Sequence, residues 1–146
     1  MDELTTSRAA DTEAQIAALR ETYDAINRHD IPAALAILDP QIEWIEPADS
    51  PEGGTTHGIA DVEALHVRAL ATWAEGACEP ERFMVAGDKI IAFVHVRVRL
   101  KDQVEWLEGD LADVYTFRNG KVIQKRTFFE PQQALDWVGV DAPDAT

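Results

Sequence analysis

Cysteine is nearly absent: Cys78 stands alone in 146 residues, so no internal disulfide can form. A lone thiol fits a reducing compartment, and a cytoplasmic location is expected. Bases are also scarce. Thirteen Lys and Arg face 27 Asp and Glu, for a net charge of −14. So acidic a chain is a poor ligand for nucleic acid, whose phosphates are held by clustered Lys and Arg, and for anionic membranes. No apolar run approaches the roughly 18–20 residues that span a bilayer. The polar start MDELTTSRAAD lacks the apolar stretch of a secretory signal. Paired metal-ligand spacing is missing too. There is one Cys, and His29, His57, His66 and His95 form no HExxH-type pair, so no metal is expected. Gly53-Gly54 is an isolated pair in a polar stretch, not a phosphate-binding loop, and no cofactor is expected.

What remains is a globular composition, 46% hydrophobic and 27% charged, in 16.2 kDa. That is enough for one core and too little for two. We expect flexible tails over 1–11 and 141–146 around a single domain over 12–140. Ile16, Leu19, Tyr23 and Ile26 make one helical stripe. Asp30 reads as an N-cap, with Pro32 in the first turn of a short helix through Leu38 that Asp39-Pro40 ends. A strand over 41–46 stops at Pro47. A Pro- and Gly-rich loop follows to Gly58, then a helix over 59–74 with Gly76 as its stop. After Pro80 the period changes to two. Strands are expected over 82–86, 89–100, 104–117 and 121–129, with an Asn119-Gly120 hairpin and a short helix from Pro131 to Val138. Helices precede strands in blocks, so the class is α+β with a mostly antiparallel sheet and two to three helices on one face.

The charge is uneven. Residues 1–80 hold 16 acids and 4 bases, whereas residues 81–130 hold 8 acids and 9 bases. The strand over 89–100 alternates most clearly. Ala92, Val94, Val96 and Val98 form one face; Phe93, His95, Arg97 and Arg99 form the other. Alternation alone does not say which face meets the helices.

Several segments carry a family likeness. One runs from Tyr23 through Asn27-Arg28-His29-Asp30 to a strand closing on Glu46-Pro47. Gly58-Ile59 opens the next helix. The most specific is Tyr115-Thr116-Phe117-Arg118-Asn119-Gly120-Lys121-Val122-Ile123, running on to Phe128-Phe129-Glu130-Pro131 and then Ala134-Leu135. Together these resemble the nuclear transport factor 2-like superfamily, in its SnoaL-like and ketosteroid-isomerase-like branch, over roughly residues 14–138. The resemblance implies a cone: a strongly curved, mostly antiparallel sheet wrapped around two to three N-terminal helices and one cavity (a cystatin-like fold). It also implies a homodimer through the outer sheet face. By alignment with ketosteroid isomerases, Phe93, His95 and Arg97 would face the cavity, and Ala92, Val94, Val96 and Val98 would form the dimer surface.

The resemblance also implies site residues. Glu46 stands where the isomerases place the Asp that moves a proton, and strand parity puts Trp44 on the same face as an apolar wall beside it. Asp113 matches the acid that donates to an oxyanion when protonated. Tyr23 lies near the isomerases' oxyanion Tyr but falls one residue late, with Thr22 in that slot, about 100° around the helix. His95 and Arg97 depart from the isomerases, which are apolar there, and would stabilise a developing oxyanion. His57, Phe93, Tyr115, Phe117, Lys125 and Phe129 complete the expected lining. His66, on the apolar stripe of its helix, reads as a half-buried packing residue. The expected function is that of a SnoaL-like small-molecule enzyme. It would do cofactor-free acid–base chemistry of isomerase, cyclase or hydratase type on a polar or oxygenated substrate. The alternative is a non-catalytic dimeric domain of the same fold that binds a small ligand or serves as an accessory domain.

Overall fold

The computed structural model describes residues 2–48, 50 and 53–139, with side chains from Asp11 onward. The expected tail over 141–146 lies outside the described residues. Helix α1 spans Asp2–Asn27, so it starts ahead of the expected Thr12. Hydrophobic period marks where a helix buries a face, not where it begins, and residues 2–11 hold no Pro or Gly that would stop the helix. Its stripe buries Leu19 and Tyr23. Helix α2 is shorter than expected, Ile31–Ala34, with the Asp30 carboxylate accepting from Ala33 N at 3.2 Å. Strand β1 then runs Leu38–Glu46. Asp39-Pro40 therefore lies inside this strand, where pairing slips between Leu38 and Glu43. A proline that withholds an N–H is accommodated at such an irregularity.

The expected loop contains a short strand, β2 (Gly54–His57), antiparallel to β1. Helix α3 (Ile59–Ala71) ends at Thr72, and Gly76 falls within strand β3 (Trp73–Ala86), which is far longer than the expected 82–86. Strands β4 (Lys89–Leu100), β5 (Leu107–Arg118) and β6 (Lys121–Phe128) and helix α4 (Pro131–Val138) follow. Asn119 and Gly120, both at positive φ (54° and 79°), make the tight β5–β6 turn. The sheet order is β2-β1-β6-β5-β4-β3. Among the described residues, only β1 and β6 pair in parallel. The sheet is curved and unclosed.

The cross-strand register decides which face is inside. Ala92 pairs with Asp113 and Val94 with Leu111, whereas His95 pairs with Asp110 and Arg97 with Glu108. Residues directly opposite share a face, so Asp113 cannot share one with His95. The inner face carries Ala92 and Val94, 0% and 1% exposed in one core cluster with Leu19, Tyr23, Val62 and Leu65 of the helices, and Val98, 5% exposed. This corrects the expected orientation. The Ala92/Val94/Val96/Val98 stripe is the cavity side and cannot serve as a dimer surface. The outer face is split. Helix α4 covers Ile91, Phe93, Ala112 and Val114. Beyond it, His95 bonds Asp110 and Glu108 at 2.8 Å each, and those bonds raise its pKa. Arg97 lies over the Trp106 ring at 3.7 Å. The polar half of the alternation is a surface face.

One amide joins α1 to the far side of the sheet. Asn27 Nδ2 donates to the Cys78 carbonyl at 2.9 Å, and Cys78 N donates to Asn27 Oδ1 at 2.8 Å. Asn27→Leu leaves a backbone N–H and C=O of β3 unpaired, and should lower stability by about 2 kcal/mol. Urea unfolding checks this, and an unchanged midpoint would refute it.

Candidate functional site

Between α1, α3 and the inner sheet face lies a cavity of about 260 Å³. Most of its wall is apolar, including Ile26, Leu65, Leu70, Val94, Val96 and Leu111. One end is polar, and every charged group there comes from a strand. Trp44 and Glu46 are alternate residues of β1. Asp113 and Tyr115 are alternate residues of β5, and Lys125 and Thr127 of β6. The pairings Trp44↔Lys125, Tyr115↔Lys125 and Asp113↔Thr127 bring them to one place.

These groups form a continuous chain of hydrogen bonds. Tyr115 Oη donates to Tyr23 Oη at 2.8 Å, and Tyr23 Oη donates to Asp113 Oδ2 at 2.5 Å. Thr127 Oγ1 donates to Asp113 Oδ1 at 2.5 Å. Lys125 Nζ donates to Thr127 Oγ1 and to Glu46 Oε2, both at 2.5 Å, and lies 4.0 Å from Asp113 Oδ1. Trp44 Nε1 donates to the same Glu46 oxygen at 2.9 Å, and the Lys125 ammonium sits 3.9 Å above the Trp44 ring. Glu46 Oε1 takes none of these bonds. Lys125 has three protons, and two are engaged.

Two carboxylates therefore share one buried ammonium. Burial pushes the Asp113 pKa up, and it outweighs the opposing pull of Lys125 and of the Thr127 and Tyr23 hydroxyls. Burial, then the Asp113 charge, drives the Tyr23 and Tyr115 pKa values well above the ordinary phenol range, so both remain donors. Cys78 also lines the cavity; burial pushes its thiol up to about 12, which makes it a poor nucleophile at neutral pH.

Glu46, Asp113, Tyr23, Trp44, Tyr115 and Lys125 thus line one cavity together. The other expected residues do not join them. His95 and Arg97 are on the outer face, and so is Phe93, which packs in the α4 cluster with the Arg82 guanidinium 4.0 Å from its ring. Phe117 faces inward but is buried in the core away from the cavity wall. His57 is exposed at the end of β2. Phe129, 46% exposed, borders a second concavity beyond Glu46 and Thr127. That concavity is larger, about 560 Å³, but has no comparable convergence of buried polar groups.

A model of the SnoaL-like domain family matches residues 19–125, which include all these cavity groups except Thr127. This chain belongs to the SnoaL-like family. The SnoaL-like domain also resembles solved structures of the wider nuclear transport factor 2-like superfamily. One is a nuclear transport factor 2-like protein of unknown function from Burkholderia pseudomallei, 29% identical, TM-score 0.69, covering 85% of this chain and 96% of that one. Another is a protein with a ketosteroid isomerase-like fold from Catenulispora acidiphila in complex with trimethylamine, 14% identical, TM-score 0.68, covering 90% and 97%. A third is TerC co-crystallised with polyporic acid, 22% identical, TM-score 0.68, covering 86% and 98%. The last two show the fold alone. No protein of curated function matches the chain significantly.

Sequence reasoning missed two polar residues of this SnoaL-like cavity. Thr127 shares parity with Lys125, a signal that was available. His66 of α3, reading as a packing residue, lines the cavity with its ring 4.8 Å from that of Trp44. Its stripe neighbours Val62, Leu65 and Leu70 are buried, which fixes the same face for His66.

Proposed function

We propose that this SnoaL-like domain binds a small, mostly apolar molecule by one oxygen-bearing group and moves a proton on it without a cofactor. The observation that supports this is the meeting of Glu46, Lys125 and Asp113 at one end of an otherwise apolar cavity. The size, about 260 Å³, falls just under the roughly 300–1,000 Å³ of drug-sized pockets. In this reading Glu46 is the base, acting through Oε1. The third Lys125 proton meets the oxyanion that develops as a C–H next to a carbonyl is broken. Asp113, whose proton affinity burial raises, adds a carboxyl donor once protonated. The oxyanion role passes from His95 and Arg97 to Lys125.

A second reading is favoured by one observation: Tyr115, Tyr23 and Thr127 all direct their hydroxyl protons inward along the chain. A site so satisfied also suits binding without turnover. Deuterium exchange into 2-tetralone, an apolar ketone of matching size, separates the two. The proton-transfer reading expects catalysed exchange, slowed about 10²–10⁴-fold in Glu46→Gln. Saturable binding of 2-tetralone with no acceleration of exchange would leave the binding reading instead. A homodimer remains part of the proposal, formed by the outer-face surface that α4 leaves uncovered.

A further inference from the structure

His66 is the one cavity group whose hydrogen-bonding state its own helix sets. Its Nδ1 lies 2.9 Å from the Val62 carbonyl, four residues earlier. A carbonyl only accepts, so Nδ1 must carry the proton. In the neutral imidazole Nε2 is then bare, a lone pair on the side of the ring turned away from the helix backbone. Among the described residues no donor meets it. Nor is it sealed in protein, because the only fully enclosed side-chain polar atom without a partner among those residues is Thr116 Oγ1. Burial, with Lys125 acting in the same direction, lowers the His66 pKa against the opposing pull of the Val62 carbonyl and Glu46, so the neutral form prevails at pH 7. Trp44 holds the ring edge-on, and the same indole carries Lys125 over its face.

We propose that His66 Nε2 is a ligand-contacting acceptor in this cavity and selects small apolar molecules that carry a hydroxyl: an alcohol or a phenol. This rests on the cavity being the binding site, as proposed above. It adds a second polar contact of opposite sense. Lys125 offers a proton to a ligand oxygen, whereas His66 takes one from a ligand hydroxyl. A ligand lacking the hydroxyl would leave Nε2 unpaired in an apolar wall, and such a mismatch discriminates strongly.

Two measurements test it. Long-range ¹H–¹⁵N spectra of the full-length protein at pH 7 should show His66 with Nδ1 protonated and Nε2 bare. An Nε2-protonated or doubly protonated ring would overturn the proposal whether or not any ligand binds. Second, 2-naphthol and 2-methoxynaphthalene are titrated by tryptophan fluorescence. Wild type should prefer 2-naphthol by at least tenfold. His66→Phe keeps an apolar ring of similar shape, so it should bind the methoxy compound as well as wild type does and lose the preference. A preference that survives in His66→Phe but disappears in Glu46→Gln would assign the hydroxyl to Glu46 and overturn the proposal alone. Binding of neither compound to wild type would overturn the cavity reading and this proposal with it.

Discussion

Replacing Lys125 by Met should lower the free energy of unfolding at neutral pH by about 3 kcal/mol, with little change in the urea slope. Lys125 is 3% exposed in its side chain and stands between Glu46 and Asp113, 20% and 11% exposed. Methionine fills much of the volume but leaves two inward-facing carboxylates without a cation. The deficit should depend on pH, and its sign follows from Asp113. This carboxyl already has a folded-state pKa above its unfolded value. Its contribution to stability is therefore complete below the unfolded pKa and is lost as pH rises through the folded one. Without Lys125 the folded value climbs further, so the Lys125→Met deficit should be largest near neutrality and shrink on acidification. Adding Asp113→Asn removes the charge and should recover part of the loss. A deficit below about 1 kcal/mol, or one equal at pH 5 and pH 7.5, would show that the ammonium does not hold these carboxylates together.

Gly76→Ala should be the most damaging small substitution, at about 3 kcal/mol and a fall in Tm of several degrees. Gly76 has φ +132°, where a side chain is strained, and an added Cβ would overlap the Arg97 carbonyl and Val98 Cα of β4. It sits just past a pairing irregularity between Trp73 and Glu75, and Trp73 is a wall of the cavity. Calorimetry of Gly76→Ala beside Gly87→Ala makes the comparison. Gly87 also has positive φ, 64°, but nothing lies near its missing Cβ. Equal losses at the two sites would mean that backbone strain alone matters and that the contact with β4 does not.

The fold was largely legible in the sequence. The 89–100 strand, the Asn119-Gly120 hairpin and the terminal helix stand as read, because period-two patterning and turn chemistry are local signals. What failed was non-local. Alternation in β4 is symmetrical between faces, and likeness to the isomerases, which are apolar at the positions of His95 and Arg97, points to the wrong one. The register with β5 settles it, since Asp110 and Glu108 lie opposite His95 and Arg97. The charges of β4 and β5 neutralise one another on the surface. Read as strands rather than one at a time, Glu108 and Asp110 already signalled this, because they face away from Asp113. Within the site, Glu46 and Asp113 were legible through the family resemblance and Lys125 from strand parity. His66 was not, because a histidine on an apolar stripe looks the same from sequence whether its free nitrogen meets protein or space.

The acid-rich first half of the chain also has a mechanical side. Strand β3 is the outermost strand of an open sheet and spans 14 residues, a length that invites another chain to add itself. Its pairing slips between Trp73 and Glu75 and again between Pro80 and Arg82, it carries Pro80 within it, and it bears exposed Glu75, Glu79 and Glu81. At the opposite border β2 has only 4 residues. A proline that withholds an N–H, a break in the ladder and a row of like charges each discourage intermolecular pairing. Part of the −14 thus acts as protection against fibril-like growth along the one rim where the protein would otherwise be vulnerable to its own copies.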